Sequence, residues 1–163
     1  MRAATLVACA LLLPGLARAA DWYVSGSGKD NNTGTSAASP WRTLQKAADA
    51  AQNGDTVHVA AGSYDGLSLS QKHNLRILGE AGAVVSRPSG SGVELTGCND
   101  LFLSGLTLSD CGDAGLLATD CERLTVEDVT LDGNGQQGPL KNSNLHLVRG
   151  SDALLHRLVS DDA

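Results

Sequence analysis

Three aspartates near the end of the 163-residue chain occupy turn positions where carboxylates could bind a cation. In the repeats described below, Asp132 and Asp161 fall in one column with Ser109, and Asp162 falls in the next column. Carboxylates stacked about 5 Å apart repel each other unless a cation lies between them, and Ca²⁺ prefers oxygen ligands of this kind. Asp132, Asp161 and Asp162 are therefore candidate Ca²⁺ ligands. Aspartate is also a common turn residue, so a purely structural role stays open.

Three basic side chains lie close together in sequence: Lys141 at the end of an insertion, and His146 and Arg149 in the third repeat that follows it. Leu145 and Leu147 alternate as inward residues of a predicted strand, which puts His146 on its outer face. A basic residue on a solvated strand face usually has no catalytic role. A non-catalytic role for these residues therefore stays open beside a catalytic one.

One supersecondary unit occurs three times between residues 92 and 163. A shift of 23 aligns the first two copies without gaps, so that Val93 falls on Leu116. The third copy needs a shift of 29, and its six additional residues belong to an insertion around residues 135–141. An internal repeat of this length predicts a solenoid.

The apolar residues of each copy form short alternating pairs separated by Gly, Asn, Asp or Ser. Three such pairs per coil of about 22 residues predict three short strands, each pairing in parallel with its equivalent in the next coil. The pairs of the first copy are Val93/Leu95, Leu101/Leu103 and Leu106/Leu108.

A leucine-rich horseshoe is the structural alternative, because residues 103–111 and 126–134 fit its repeat. The third copy departs from that pattern, since Ser160 stands where an apolar residue is required. A horseshoe would also leave the first-strand pairs, such as Val93 and Leu95, exposed to solvent.

Residues 1–20 have the features of a secretory signal peptide. Arg2 precedes an apolar run over residues 6–16, which is too short to span a bilayer, and Ala17-Arg18-Ala19 is a typical cleavage site. We expect a mature protein that is secreted, extracellular or periplasmic, and without a membrane anchor.

The mature chain is acidic. Cleavage removes Arg2 and Arg18 and takes the net charge from −6 to −8, since no Asp or Glu precedes Asp21. We expect no nucleic-acid partner, because no basic patch is present to displace counterions from phosphate. An acidic polymer could still bind where divalent cations bridge it to the protein.

Two of the three cysteines of the mature chain fall on neighbouring coils. The shift of 23 carries Cys98 onto Cys121, at about one strand spacing, which is within the range that a disulfide accepts. The sequence predicts either that disulfide or a stacked pair of buried thiols.

Residues 21–54 do not repeat, and we interpret them as an N-terminal strand, a polar loop and a capping helix. Pro40 behind Ser39 predicts the helix start, and Asn53-Gly54 predicts its end. Such a helix would cover the first coil, whose core and strand edge would otherwise be exposed. Residues 55–163 are assigned to the coils.

Two N-terminal motifs, and the coils that follow them, resemble a known family over residues 21–163. The motifs are DWYVSGSGKDNNTGT and SPWRTLQKAADAAQNGDTVHVAAGSYDG, and the coils include GVEL and LFLSGLTL. They resemble the N-terminal half of secreted β-helix proteins of the pectate lyase superfamily. The resemblance implies an all-β fold: a right-handed single-stranded parallel β-helix, or solenoid, with a short N-terminal capping α-helix.

The resemblance also implies an activity, Ca²⁺-assisted β-elimination of an acidic (uronate) polysaccharide. The Asp161-Asp162 pair is similar to the paired aspartates of calcium-dependent lyases, and the base would come from Lys141, His146 or Arg149. Glycoside hydrolases, uronan epimerases and proteins without known activity share the fold, so these, and a non-catalytic binding or scaffold module, stay open.

The third coil ends at Ala163 without a C-terminal cap. We expect the chain to be the N-terminal part of a longer solenoid whose catalytic coils lie downstream. An uncapped β edge also predicts self-association.

Overall fold

The computed structural model of the chain describes residues 19–137 and 143–161, so the signal-peptide assignment falls almost entirely outside the described residues. One helix, α1, spans Leu44–Ala50 in this part of the chain. The strands are β1 Asp21–Val24, β2 Thr56–Val59, β3 Gly62–Asp65, β4 Leu67–Ser70, β5 Arg76–Ser86, β6 Val93–Thr96, β7 Phe102–Ser109, β8 Leu116–Thr119, β9 Thr125–Glu127, β10 Thr130–Asp132, β11 Leu145–Val148, β12 Leu154–His156 and β13 Val159–Asp161.

The described strands form two sheets in which every pairing is parallel. The smaller sheet contains the first strand of each coil, in the order β4, β6, β8, β11. The larger sheet follows the order β1, β2, β5, β7, β10, β13, with β3 beside β5 and with β9 between β7 and β12. Each strand therefore pairs with its equivalent in the neighbouring coil, as the repeat predicts.

The predicted register is confirmed residue by residue. The shift of 23 appears in the pairing of Val93 with Leu116, and the shift of 29 appears in the pairing of Leu116 with Leu145. The insertion thus falls in the connection between β10 and β11 and does not change the strand pairing.

The horseshoe alternative is wrong, because it requires the first-strand apolar pairs to be exposed to solvent. Val93 and Leu95 of β6, and Leu116 and Ala118 of β8, are buried in one core with the apolar residues of the larger sheet. They stack through the pairings of the smaller sheet, which supplies an inner face that a horseshoe lacks.

The coils bend at residues with a left-handed backbone conformation. In the first copy the second and third predicted strands are one continuous strand, β7, with Gly105 at φ 71° in its interior. In the next two coils the bend interrupts the strand, and Asp128 and Arg157 adopt φ 53° and 51° there.

The predicted helix start at Pro40 is wrong, because the backbone of Trp41 pairs with β1 instead. Trp41 N–H donates to Tyr23 O (2.9 Å), and Ser25 N–H donates to Trp41 O (2.9 Å). The Asp30 carboxylate then accepts from the Arg42 and Thr43 N–H groups, and the Thr43 hydroxyl caps α1 by accepting from Lys46 N–H.

The helix also ends before the predicted stop at Asn53-Gly54. Ala51 is already extended (ψ 136°), and the Gln52 N–H donates to the Asp55 carboxylate instead of continuing the helix. The capping role is supported by Gln45, whose side-chain amide accepts from Ser68 N–H (2.9 Å) and donates to Ser68 O (3.2 Å). Gln45 thereby occupies backbone groups on the outer edge of β4.

Cys98 and Cys121 lie on neighbouring coils as predicted, and both are free, buried thiols in this structure. Burial raises the pKa of the Cys121 thiol, so it is held in the neutral form. Cys111 is also buried and free, with a raised pKa of the same origin.

The last described coil is less covered than its predecessors. Leu147 and Leu155 are 41% and 39% exposed, whereas their partners Ala118 and Val126 are buried. Self-association through this edge stays a prediction. No helix of the described residues combines the length and the apolar character needed to cross a membrane.

Candidate functional site

A line of oxygen-bearing residues runs along the end of the third strands, and we call it the third-strand column. Ser109 pairs with Asp132, and Asp132 pairs with Asp161, which confirms the register on which the cation hypothesis was built. Asp65 pairs with Ser86. Val85 pairs with Leu108, so the residues that follow them, Ser86 and Ser109, also lie side by side. The column therefore comprises Asp65, Ser86, Ser109, Asp132 and Asp161.

The column turns outward because its residues alternate with buried ones. Leu131 is buried and Asp132 is exposed, just as Leu108 is buried and Ser109 is partly exposed. Successive members are about 4.8 Å apart, the spacing of paired strands. The side-chain oxygens of Asp65, Ser86, Ser109 and Asp132 thus face solvent on one side of the coils.

The described residues can supply only part of a calcium coordination shell. Asp132 and Asp161 occupy paired positions, and Asp162 lies outside the described residues. Among the described residues no group of three or more His, Cys, Asp or Glu side chains is placed to hold a metal ion. Ca²⁺ takes six to eight oxygen ligands, so a cation here would need water or substrate oxygens as well.

His146 lies on β11 in the smaller sheet, with its ring partly exposed on the outer face. It pairs with Leu117, whose partner in the preceding coil is Glu94. Its side chain makes no hydrogen bond or ion pair within the described part of the chain. Lys141, the second candidate base, lies outside the described residues.

Arg149, the third candidate base, is held by an aspartate of the preceding coil. Its guanidinium Nε and Nη2 donate to the two carboxylate oxygens of Asp120 at 2.7 and 2.8 Å. The hydrogen bonds lower the pKa of Asp120 and raise that of Arg149, so the pair favours the charged arginine. A base must release its proton before it can accept one, so this pairing opposes the use of Arg149 as a base.

Within the described part of the chain, the Arg149 pair is one of three equivalent arginine-aspartate contacts at the corners of the coils. Arg123 binds both oxygens of Asp100 at 2.6 and 2.8 Å, and Arg157 binds Asp128 in the same bidentate manner. Adding the repeat shift of 23 or 29 to the number of each aspartate gives the number of its arginine. These contacts could therefore have been predicted from the sequence. They link successive coils outside the backbone ladders.

These corner contacts predict an acid-sensitive contribution to stability. The arginines lower the pKa of Asp100, Asp120 and Asp128 in the folded chain. The contribution is present above the unfolded pKa of about 4 and is lost as the pH falls through the lowered folded values. The triple variant D100N/D120N/D128N should therefore show a smaller drop in Tm than the wild type between neutral pH and about pH 3. Equal drops would contradict a role for these pairs.

A histidine and a tyrosine that sequence reasoning left without a role come together on the outer face of β1 and β2. The rings of Tyr23 and His58 stack with centroids 4.9 Å apart, and His58 Nε2 lies 2.8 Å from Asp21 Oδ1. Glu80 lines the same cavity of about 190 Å³. This contact follows from the pairing of β1 with β2, which places Tyr23 beside His58. A sequence prediction of that pairing would have found it.

Comparisons with known proteins give a match to one family model and similarity to several solved structures. Residues 26–84 match the model of a family described as "Protein of unknown function (DUF1565)". A crystal structure of pectate lyase Pel9A is similar at 14% identity and a TM-score of 0.47, over 83% of this chain and 48% of that one. A rhamnogalacturonan lyase is similar at 10% identity and a TM-score of 0.32, over 81% and 62%. The chain therefore spans about half to three fifths of the length of these two proteins. No curated protein matches.

Proposed function

We propose that this chain is the N-terminal part of a secreted protein related to polysaccharide lyases, which acts on an acidic polysaccharide. The observation that carries the proposal is the third-strand column, where carboxylate and hydroxyl oxygens repeat at the spacing of the coils. A polymer lying along the coils would meet the same kinds of oxygen atoms at each step. The parallel stacking supports closure of the coils into a right-handed β-helix.

An acidic protein repels an acidic polymer, and a divalent cation between the two offsets that repulsion. We assign the ligands of Ca²⁺ to Asp132, Asp161 and Asp162, of which the first two occupy paired positions. When bound, the ion would neutralise the substrate carboxylate and make the neighbouring C5 proton more acidic. The small number of protein carboxylates supports an ion shared with the substrate.

His146 is the residue we assign as the base that removes the C5 proton. Its ring is partly exposed and makes no hydrogen bond within the described residues, so it is free to contact a substrate. Arg149 is held in its charged form by both carboxylate oxygens of Asp120, so it is not the base we assign. Lys141 stays a candidate for the base.

A calcium-dependent binding measurement tests this proposal. The wild type should bind pectate or alginate more tightly with Ca²⁺ than in EDTA. D132N should weaken the binding about tenfold, because a carboxylate that binds the cation is replaced by a neutral amide. The matched control is D152N, which neutralises an exposed aspartate outside the column.

The control ligand is fully methyl-esterified pectin, whose carboxylates are masked. Equal binding of the esterified and acidic polymers, or equal loss of affinity in D132N and D152N, would show that the column does not recognise an acidic polysaccharide through a cation.

A second function, non-catalytic binding of polysaccharide, is favoured by the corner contacts. Arg123, Arg149 and Arg157 are all engaged by aspartates, which leaves few basic side chains free for chemistry in the described coils. A binding module would give the same calcium-dependent affinity as a lyase without forming an unsaturated product. Product analysis therefore separates the two functions.

A further inference from the structure

A polar cavity of about 270 Å³ opens at the N-terminal end of the third-strand column. Asp65 and Ser86, the first two members of the column, line it together with Ser63. Arg42 and Thr43, from the segment that leads into α1, also line it. The cavity therefore joins the cap region to the line of oxygen atoms on the coils.

Arg42 differs from the other arginines of the described residues. Each of the others has a partner: Arg76 lies over the ring of Phe102, and the remainder pair with carboxylates of Asp or Glu. The Arg42 guanidinium makes no hydrogen bond, ion pair or ring contact within residues 19–137 and 143–161. In a chain with an excess of acidic residues, an arginine without a carboxylate partner is available for an anionic ligand.

Asp65 has no partner across this cavity either. No ion pair joins it to Arg42, and its carboxylate makes no hydrogen bond within the described part of the chain. The cavity thus contains a free guanidinium, a free carboxylate and the hydroxyl groups of Ser63 and Ser86. Neither charged group is neutralised by the other.

The backbone at Arg42 is fixed although its side chain is free. Asp30 Oδ1 accepts from the N–H groups of Arg42 (2.9 Å) and Thr43 (3.0 Å), and Asp30 Oδ2 accepts from the Thr43 hydroxyl (2.9 Å). These contacts hold the cavity wall in place before a ligand binds, which reduces the entropy lost on binding.

The combination of groups selects the class of ligand. A guanidinium binds a carboxylate in a bidentate manner, while a carboxylate and serine hydroxyls bind the hydroxyl groups of a sugar. A compact polyanion such as phosphate would bring its charge close to Asp65 and be repelled. A sugar acid has one carboxylate and several hydroxyl groups, which suits both charged groups.

We propose that this cavity is a binding subsite for one uronate residue of an acidic polysaccharide, with Arg42 binding its carboxylate and Asp65 accepting from its hydroxyl groups. The inference rests on the proposed function, and it places the subsite at the cap end of the column, away from the candidate cation ligands Asp132 and Asp161. A polymer bound there could continue along Ser86 and Ser109.

The test is the affinity of the whole chain for tri-galacturonate, measured by calorimetry in EDTA so that binding through Ca²⁺ does not contribute. R42A should raise the Kd about tenfold, the effect of losing one charge-assisted contact. R42K should fall between R42A and the wild type, because lysine keeps the charge but loses the bidentate geometry. The matched control R76A, an exposed arginine outside the cavity, should leave the Kd unchanged.

Three outcomes overturn the subsite. Equal Kd values for R42A and R76A would overturn it while leaving calcium-dependent polymer binding intact. Equal binding of the carboxyl-reduced, neutral trisaccharide would show that Arg42 recognises no carboxylate. Absence of trimer binding by the wild type in EDTA would overturn the subsite alone if pectate still bound with Ca²⁺, and the proposed function as well if it did not. If R42A failed to fold, R42K and R42Q would decide by the same comparison.

Discussion

Replacing Gly105 with alanine is expected to destabilise the chain by about 3 kcal/mol or more. Gly105 has φ 71°, and a Cβ at this position would lie 2.1 Å from the backbone oxygen of Gly79 in the preceding coil. Backbone atoms of two stacked coils cannot yield as a flexible side chain can. The substitution must therefore separate β5 from β7 in the middle of the larger sheet.

Gly97 provides the matched control for this prediction. Its φ of 61° is close to that of Gly105, but a Cβ there would approach only the Cγ of Gln71, at 3.7 Å. G97A should cost about 1 kcal/mol, the strain of a left-handed alanine without a clash. Urea unfolding of both variants measures the difference. If G105A were no less stable than G97A, the close approach of Gly79 and Gly105 would be wrong.

Replacing His146 with glutamine is expected to lower the rate of β-elimination by about 10² to 10⁴-fold, the contribution of a positioned base. The side chain keeps a polar group of similar size on the outer face of β11, so binding of the polymer should change little. The loss should therefore appear in kcat and not in KM. The rate of unsaturated-product formation measures both.

His156 is the control for the histidine variant. It lies on β12 in the larger sheet, where its Nδ1 is 3.2 Å from Glu127 Oε1. H156Q should leave kcat unchanged. A similar loss in both variants would indicate damage to the last coil, and an unchanged rate in H146Q would transfer the role of base to Lys141 or to coils beyond those described.

The parallel pairing and its register could be predicted because a repeated sequence unit repeats its strand-pairing constraints. Once Val93 is aligned with Leu116, every residue between β6 and β10 acquires a neighbour one coil away. The same shifts paired Asp132 with Asp161 and Cys98 with Cys121. The column of candidate ligands therefore followed from sequence, although binding of a cation did not.

The N-terminal region could not be predicted in the same way, because it does not repeat. The helix begins after Thr43, since Asp30 is hydrogen-bonded to backbone groups 12 and 13 residues away. The cavity around Arg42 depends on the same long-range contact. No local sequence pattern around Pro40 indicates the contact between Asp30 and residues 42 and 43. The sequence alone therefore left Arg42 without a role.

Incubation of the wild-type chain with pectate and with alginate, with and without Ca²⁺, tests whether it acts on acidic polysaccharide by elimination. Because His146 and the candidate cation ligands lie within this chain, we expect an ultraviolet-absorbing unsaturated product from one of these polymers, formed only when Ca²⁺ is present. New reducing ends without that absorbance would contradict elimination and indicate a hydrolase. Binding without any product would contradict catalysis by His146, and would indicate either a non-catalytic module or catalytic groups outside this chain. Absence of both binding and product would contradict an action on acidic polysaccharide.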